Sequence, residues 1–156
     1  MFRVGFGIAL IGIVLAACLR WIGQQVRLRR ELLTLVERRS AFSRRREWLE
    51  AKFLQIANSR GTPRGLEWID CDFEDNVRFA KDRRTGELTA LVGVAIQFRA
   101  IEGGGMEHVE AVANQKAATA VFRFRESDWM TEGRALFNLN PLEALEYYQT
   151  ELEPVE

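Results

Sequence analysis

Histidine is all but missing from this chain, and cysteine and proline are scarce: one His, two Cys and three Pro in 156 residues. A single histidine excludes the clustered imidazole sites on which zinc enzymes rely. The two cysteines, Cys18 and Cys71, sit in segments of opposite character, one apolar and one polar. An intramolecular disulfide is therefore not expected, and a lone thiol suits a reducing compartment. Net charge is zero, so the chain as a whole has no polyelectrolyte attraction for nucleic acid. Proline and glycine are both absent from Gln24 to Ala57, which leaves that stretch without the ordinary helix breakers.

Long apolar runs are also rare, and the one that exists sets the frame. Val4 to Leu19 is 16 uncharged residues, bounded by Arg3 and Arg20 and followed by Trp21 and Ile22. As a helix it covers about 24 Å, a little short of the ~30 Å hydrocarbon core. Snorkelling arginines and an interfacial Trp21 make such a span workable. Three readings compete: an uncleaved signal-anchor, a cleaved secretory signal, and a lipoprotein signal. Leu15-Ala16-Ala17-Cys18 resembles the bacterial lipobox, which implies acylation at Cys18 and a lipid-anchored protein on the outer side of the membrane. Arg20, Arg27, Arg29 and Arg30 follow immediately, with only Glu31 against them. Basic residues close to a span resist translocation, so the anchor is favoured and the C-terminal part is expected in the cytoplasm, at the inner membrane of a bacterial-type cell.

Charge is unevenly placed. Residues 20–60 hold 11 Lys/Arg against 4 Asp/Glu, a net of +7, and residues 61–156 hold 10 against 18, a net of −8. Arg20, Arg27, Arg29 and Arg30 are the expected contacts with anionic headgroups. The acidic remainder is expected to stand clear of the same surface. Gly5, Ala9, Gly12 and Ala16 share one helix face with small-xxx-small spacing, a candidate face for self-association of the span. Leu28, Leu32, Leu35, Arg39, Phe42, Arg46, Leu49, Phe53 and Ile56 follow a 3-then-4 spacing with seven apolar positions of nine, the pattern of a coiled-coil seam or of a helix packed on its own domain. A homodimer is one partner reading, and an unidentified protein is the other.

From position 59 the pattern changes. Domains are expected at 1–22 (anchor), 23–58 (basic helix), 59–65 (linker) and 66–156 (a small α+β domain). Strands are expected over Leu66–Phe73, Val77–Lys81, Thr89–Ala100, Val109–Phe124 and Trp129–Leu139, with turns at Asp82–Gly86 and Glu126–Asp128. Parity flips between Ala113 and Ala118, so a bulge or bend is expected near Asn114–Lys116. Asn140-Pro141-Leu142-Glu143 announces a helix with its cap, first turn and capping-box acid in place. A long helix, a four- or five-stranded antiparallel sheet and a C-terminal helix look like cystatin-like or NTF2-like rolls, a fold-level resemblance that hosts binding modules and enzymes alike.

Chemistry is thinly signalled. His108 and Glu110 lie two apart on an expected strand, but a lone histidine with carboxylates is a poor metal set. Asp70, Asp72, Glu74 and Asp75 lack the spacing of a calcium loop and suit the guarding of an edge strand. Cys71 has inward parity and no adjacent base, which favours a small buried hydrophobe over a nucleophile. Gly103–Gly105 carries neither the Lys-Ser/Thr of a P-loop nor a helix start, and suits a loop needing positive φ. Arg38, Arg39 and Arg44–Arg46 are placed first at a lipid surface, then on a solvated helix, and last against nucleic acid. No metal, cofactor or catalytic set is expected. The favoured function is a membrane-anchored, non-enzymatic interaction module. The alternatives are the lipoprotein and a ligand-binding or enzymatic roll, whose pocket under the C-terminal helix Trp68, Phe98, Phe122, Trp129 and Tyr147 would line.

Overall fold

In the computed structural model the described residues are 2–59, 65–109 and 114–155; within the first helix, side chains are described at 18, 20–26, 29 and from 31 onward. The chain forms two compact units, Met1–Ser43 and Arg44–Glu156. Helix α1 (Phe2–Ser59) is followed by β1 (Leu66–Asp82), β2 (Leu88–Ala100), β3 (Lys116–Arg125), β4 (Asp128–Phe137), helix α2 (Pro141–Tyr147) and β5 (Leu152–Pro154). The fold is α+β, with one antiparallel sheet in the order β4-β3-β2-β1-β5. Among the described residues no helix is long and apolar enough to cross a membrane. The apolar run 4–19, Cys18 apart, lies outside the described side chains.

The second unit is built on the C-terminal end of α1. Leu49, Phe53 and Ala57, spaced by four, are buried on one helix stripe, as a helix with a single covered side requires. Phe53 sits at the centre, with ring centroids 6.1, 5.7 and 5.9 Å from Trp68, Phe73 and Phe122. Ala90, Val92, Val94, Ile96 and Phe98 of β2 alternate on the same side and are all buried. Those helix positions are thus spent on the chain's own sheet, which decides between the two uses of the 3-then-4 pattern from residue 49 onward.

The expected first two strands are one. β1 runs through to Asp82, and its pairing with β2 shifts between Trp68 and Asp70 and again between Phe73 and Val77. Each bulge inserts unpaired residues that break the two-fold alternation. This is why Trp68 points inward, Ile69 is exposed, and Cys71 and Phe73 are again on the helix side. A third bulge in β4 places Glu132–Arg134 opposite Val121. Gly133 has φ +67°, and a Cβ there would lie 2.8 Å from the Ala57 amide nitrogen. Only glycine fits both the backbone and the close approach of α1.

The other sheet face is not simply polar. Ala80, Leu91, Val121, Ala144 and Leu145 form a second buried cluster with Leu136, Leu139 and Leu152 against it. Thr89 of the same face is likewise buried. Helix α2 covers this corner, so the strand is half-buried only from Ala95 on. Its start is as the sequence signals. Asn140 Oδ1 accepts from the Leu142 and Glu143 amides at 3.0 and 2.9 Å, while Glu143 accepts from the Asn140 amide at 2.9 Å. The sequence puts Leu142 and Leu145 on the apolar side of this helix; Leu145 is buried, with Pro141 and Ala144, while Leu142 is exposed. β5, absent from the sequence reading, pairs with Ala80–Asp82, with Pro154 on the outermost strand where a missing N–H is tolerated.

Candidate functional site

The basic stretch of α1 divides by use. Arg46 donates from Nε to Glu50 at 2.6 Å, from one terminal nitrogen to the Asp75 carbonyl at 2.9 Å, and from the other to the Glu74 carbonyl. These carbonyls belong to the β1 bulge, where the ladder to β2 is interrupted. Arg46 therefore replaces strand hydrogen bonds that the bulge removes. Arg45 pairs with Asp128 at the β3–β4 turn and lies over the Trp48 ring at 5.1 Å. The Arg45 hydrogen bond, helped by the Trp129 amide, holds the Asp128 carboxyl below the usual range. Two of the three consecutive arginines thus act inside the domain, and only Arg44 is left exposed without a described contact.

Cys71 is half-buried on the helix side of the sheet, with burial first and the Asp70 charge second pushing its thiol up to about 12. It is protonated at neutral pH and is no nucleophile there. Asp70 accepts from the Cys71 amide at 2.8 Å. Among the described residues no group of three or more His, Cys, Asp or Glu could hold a metal. His108 is exposed on the loop after β2, not on a strand, and Glu110 lies outside the described residues. β3 starts only at Lys116, so the expected early strand from Val109 is not found at the described positions, and the parity flip coincides with the start of the element.

The glycine triplet has two duties. Gly103 and Gly105 adopt φ +80° and +76°, and a Cβ on Gly104 would lie 2.6 Å from the Gly65 Cα. The Glu107 carboxylate turns back into this loop: its own amide first, then Gly103, Gly105 and Gly104, hold it below the usual range. An internal carboxylate already occupies the amides that a phosphate would need.

Four of the five residues expected to line a pocket are core. Trp68, Phe98, Phe122 and Trp129 are buried, while Tyr147 is exposed at 70%. The space under α2 is filled by Ala144 and Leu145. A shallow depression between β3 and β4, lined by Val121, Arg123, Met130, Glu132 and Arg134, has room for about one water.

Six of the exposed large apolar side chains among the described residues lie on the first unit. Trp21, Ile22, Val26, Leu32, Leu33 and Val36 are all exposed, Leu33 at 70%. At about 100° per residue they fall within a sector about 140° wide on α1. Arg29 is exposed within it and the free thiol of Cys18 is exposed just before it, whereas Arg20 is exposed on the opposite side of the helix. The side chains of Arg27 and Arg30, and the small-residue face Gly5, Ala9, Gly12 and Ala16, lie outside the described residues. This sector is rotated from the heptad-like seam, because Ile22, Val26 and Leu33 fall between seam positions. The signal was present in the sequence as apolar residues at i, i+4 and i+11. No family model, curated protein or solved structure matches the chain.

Proposed function

We propose that this protein is a membrane-anchored, non-enzymatic interaction module. Residues 4–19 form the span, Arg20, Arg27, Arg29 and Arg30 rest at anionic headgroups, and a cystatin-like or NTF2-like roll faces the cytoplasm. The observation that carries this reading is the exposed apolar sector from Trp21 to Val36. Apolar side chains repeated over four helix turns are costly to leave in water and mark a contact surface. Its position directly after a 16-residue uncharged run joins a lipid-compatible segment to a protein-compatible one on a single helix. The chemistry-bearing groups of the second unit are spent internally: Arg46 on carbonyls, Glu107 on loop amides, Cys71 as a thiol.

One experiment decides topology and anchor together. A reporter fused after Glu156 is expected to be active on the cytoplasmic side, and the mass of the intact N-terminus is expected to retain Met1 or its immediate neighbour. An N-terminus at Cys18 carrying acyl chains would replace this reading with the lipoprotein one, which the Leu15–Cys18 motif favours.

A further inference from the structure

We propose that the sector from Trp21 to Val36 docks an acidic, amphipathic α-helix of a different protein. This rests on the interaction-module reading and names the partner of that same surface. The shape argument comes first. Six apolar side chains follow α1 over 15 residue steps, about 22 Å, which is a stripe and not a patch. A stripe of that width is complemented by the apolar face of a second helix. Lipid does not cover its far part: Leu32, Leu33 and Val36 lie 13, 14 and 17 residues beyond Leu19, about 20–26 Å along the helix and past the four arginines placed at headgroups.

Charge then selects between partners. Residues 20–40 carry a net of +4; at about 100° per residue Arg20 and Arg38 fall on the side of α1 away from the sector, so the charge set within it is that of Arg29. Arg29 is exposed and falls near the middle of the apolar sector at about 100° per residue. Two copies anchored in one membrane can pair their helices only in parallel, which sets Arg29 against Arg29 and one basic helix against another. Like charges facing in a seam oppose that pairing, whereas glutamates flanking the seam of another helix turn the same charges to attraction. The surface is thus apolar enough to bind a helix and basic enough to refuse its own copy.

The test uses the full chain in nanodiscs of zwitterionic lipid, where headgroup attraction is absent. The probe is a synthetic 21-residue helical peptide with leucines on one face and glutamates flanking it; the control carries lysines in place of the glutamates. The expected result is binding of the glutamate peptide at least tenfold tighter than the lysine peptide, weakening at least tenfold between low and high salt. Leu32→Gln with Leu33→Gln, both exposed and tolerant of a helix-forming residue, is expected to weaken it about tenfold. Arg29→Glu is expected to reverse the preference between the two peptides. Equal binding of both peptides, no binding of either, or indifference to both variants overturns the proposal. So does a stable dimer of the chain in the nanodisc that the leucine variant dissolves, or protection of Leu32–Val36 by anionic lipid alone. Failure of the anchor reading is seen separately, in the reporter and N-terminal mass.

Discussion

At the scale of single residues, what the side chains do is set by the backbone around them more than by their own charge. Arg46 shows this. Its three bonds match a planar fork of donors, and the two carbonyls it serves have lost their place in the β1–β2 ladder. An ammonium group offers the same charge but cannot reach all three acceptors at once. Arg46→Lys is therefore expected to destabilise the fold by about 1–2 kcal/mol, the lower part of the usual range because Glu74 and Asp75 are exposed and water can replace part of the loss. Urea unfolding of the two proteins measures this, and a lysine variant as stable as the parent would assign Arg46 to a solvated helix face. Cys71 makes the converse case. With its thiol raised from 9.0 to about 12, the thiolate fraction at pH 8 falls roughly a thousandfold, and the greater nucleophilicity of a more basic thiolate recovers only part of that. Peptide-resolved alkylation by iodoacetamide at pH 8 should run at least tenfold slower at Cys71 in the folded chain than in urea; equal rates would contradict its burial. Because folding raises this pKa, the group's contribution to stability is complete below pH 9 and is lost as pH rises from there toward about 12.

Elements of this fold are shaped by their interruptions. The turn between β3 and β4 places Glu126 and Ser127 at φ +49° and +72°, the backbone of a two-residue hairpin that favours Asn-Gly. Each of the two non-glycine residues there costs about 1–2 kcal/mol. Glu126→Asn with Ser127→Gly is expected to raise stability by about 1 kcal/mol, read as a higher urea midpoint at unchanged slope. At the β4 bulge the sign reverses. Gly133→Ala sets a Cβ against the backbone of α1 and forces a left-handed φ on alanine, with an expected loss of about 2–3 kcal/mol. These interruptions also set the limit on what the sequence discloses. The β2 alternation, the α2 capping box and the Asp82–Gly86 turn were legible because each is signalled by residues adjacent in the chain. The unity of β1 was not, since Glu74–Asn76 lacks apolar alternation and its carbonyls are held by an arginine nearly thirty positions away. β5 was hidden for a related reason: three residues that include a proline carry no period, and only pairing with Ala80–Asp82 makes them a strand. The candidate surface on α1 was half legible. Its apolar content was plain, but which residues the domain itself would consume depended on Phe53 meeting Trp68, Phe73 and Phe122.

Across the whole molecule, the two units answer to different sources of stability. From Arg44 onward the helix is held by buried Leu49, Phe53 and Ala57, so opening it exposes the aromatic cluster and requires unfolding of the sheet. Between Trp21 and Val36 the same helix has six large apolar side chains exposed, and it depends on local propensity, which alone gives marginal helices. Hydrogen exchange of the full chain in nanodiscs is the measurement that separates them. Amides at 49–57 are expected to exchange near the rate of global unfolding, and those at 23–36 at least a hundredfold faster. Local opening with little burial has a small free energy, and each factor of ten in protection corresponds to about 1.4 kcal/mol. Equal protection of the two segments would mean that the first unit is already covered, by lipid or by a second copy, and would remove the reason for a partner there. Faster exchange that slows only when an acidic helix is added would tie the exposed sector, the excess of arginine and the protein's function to one surface.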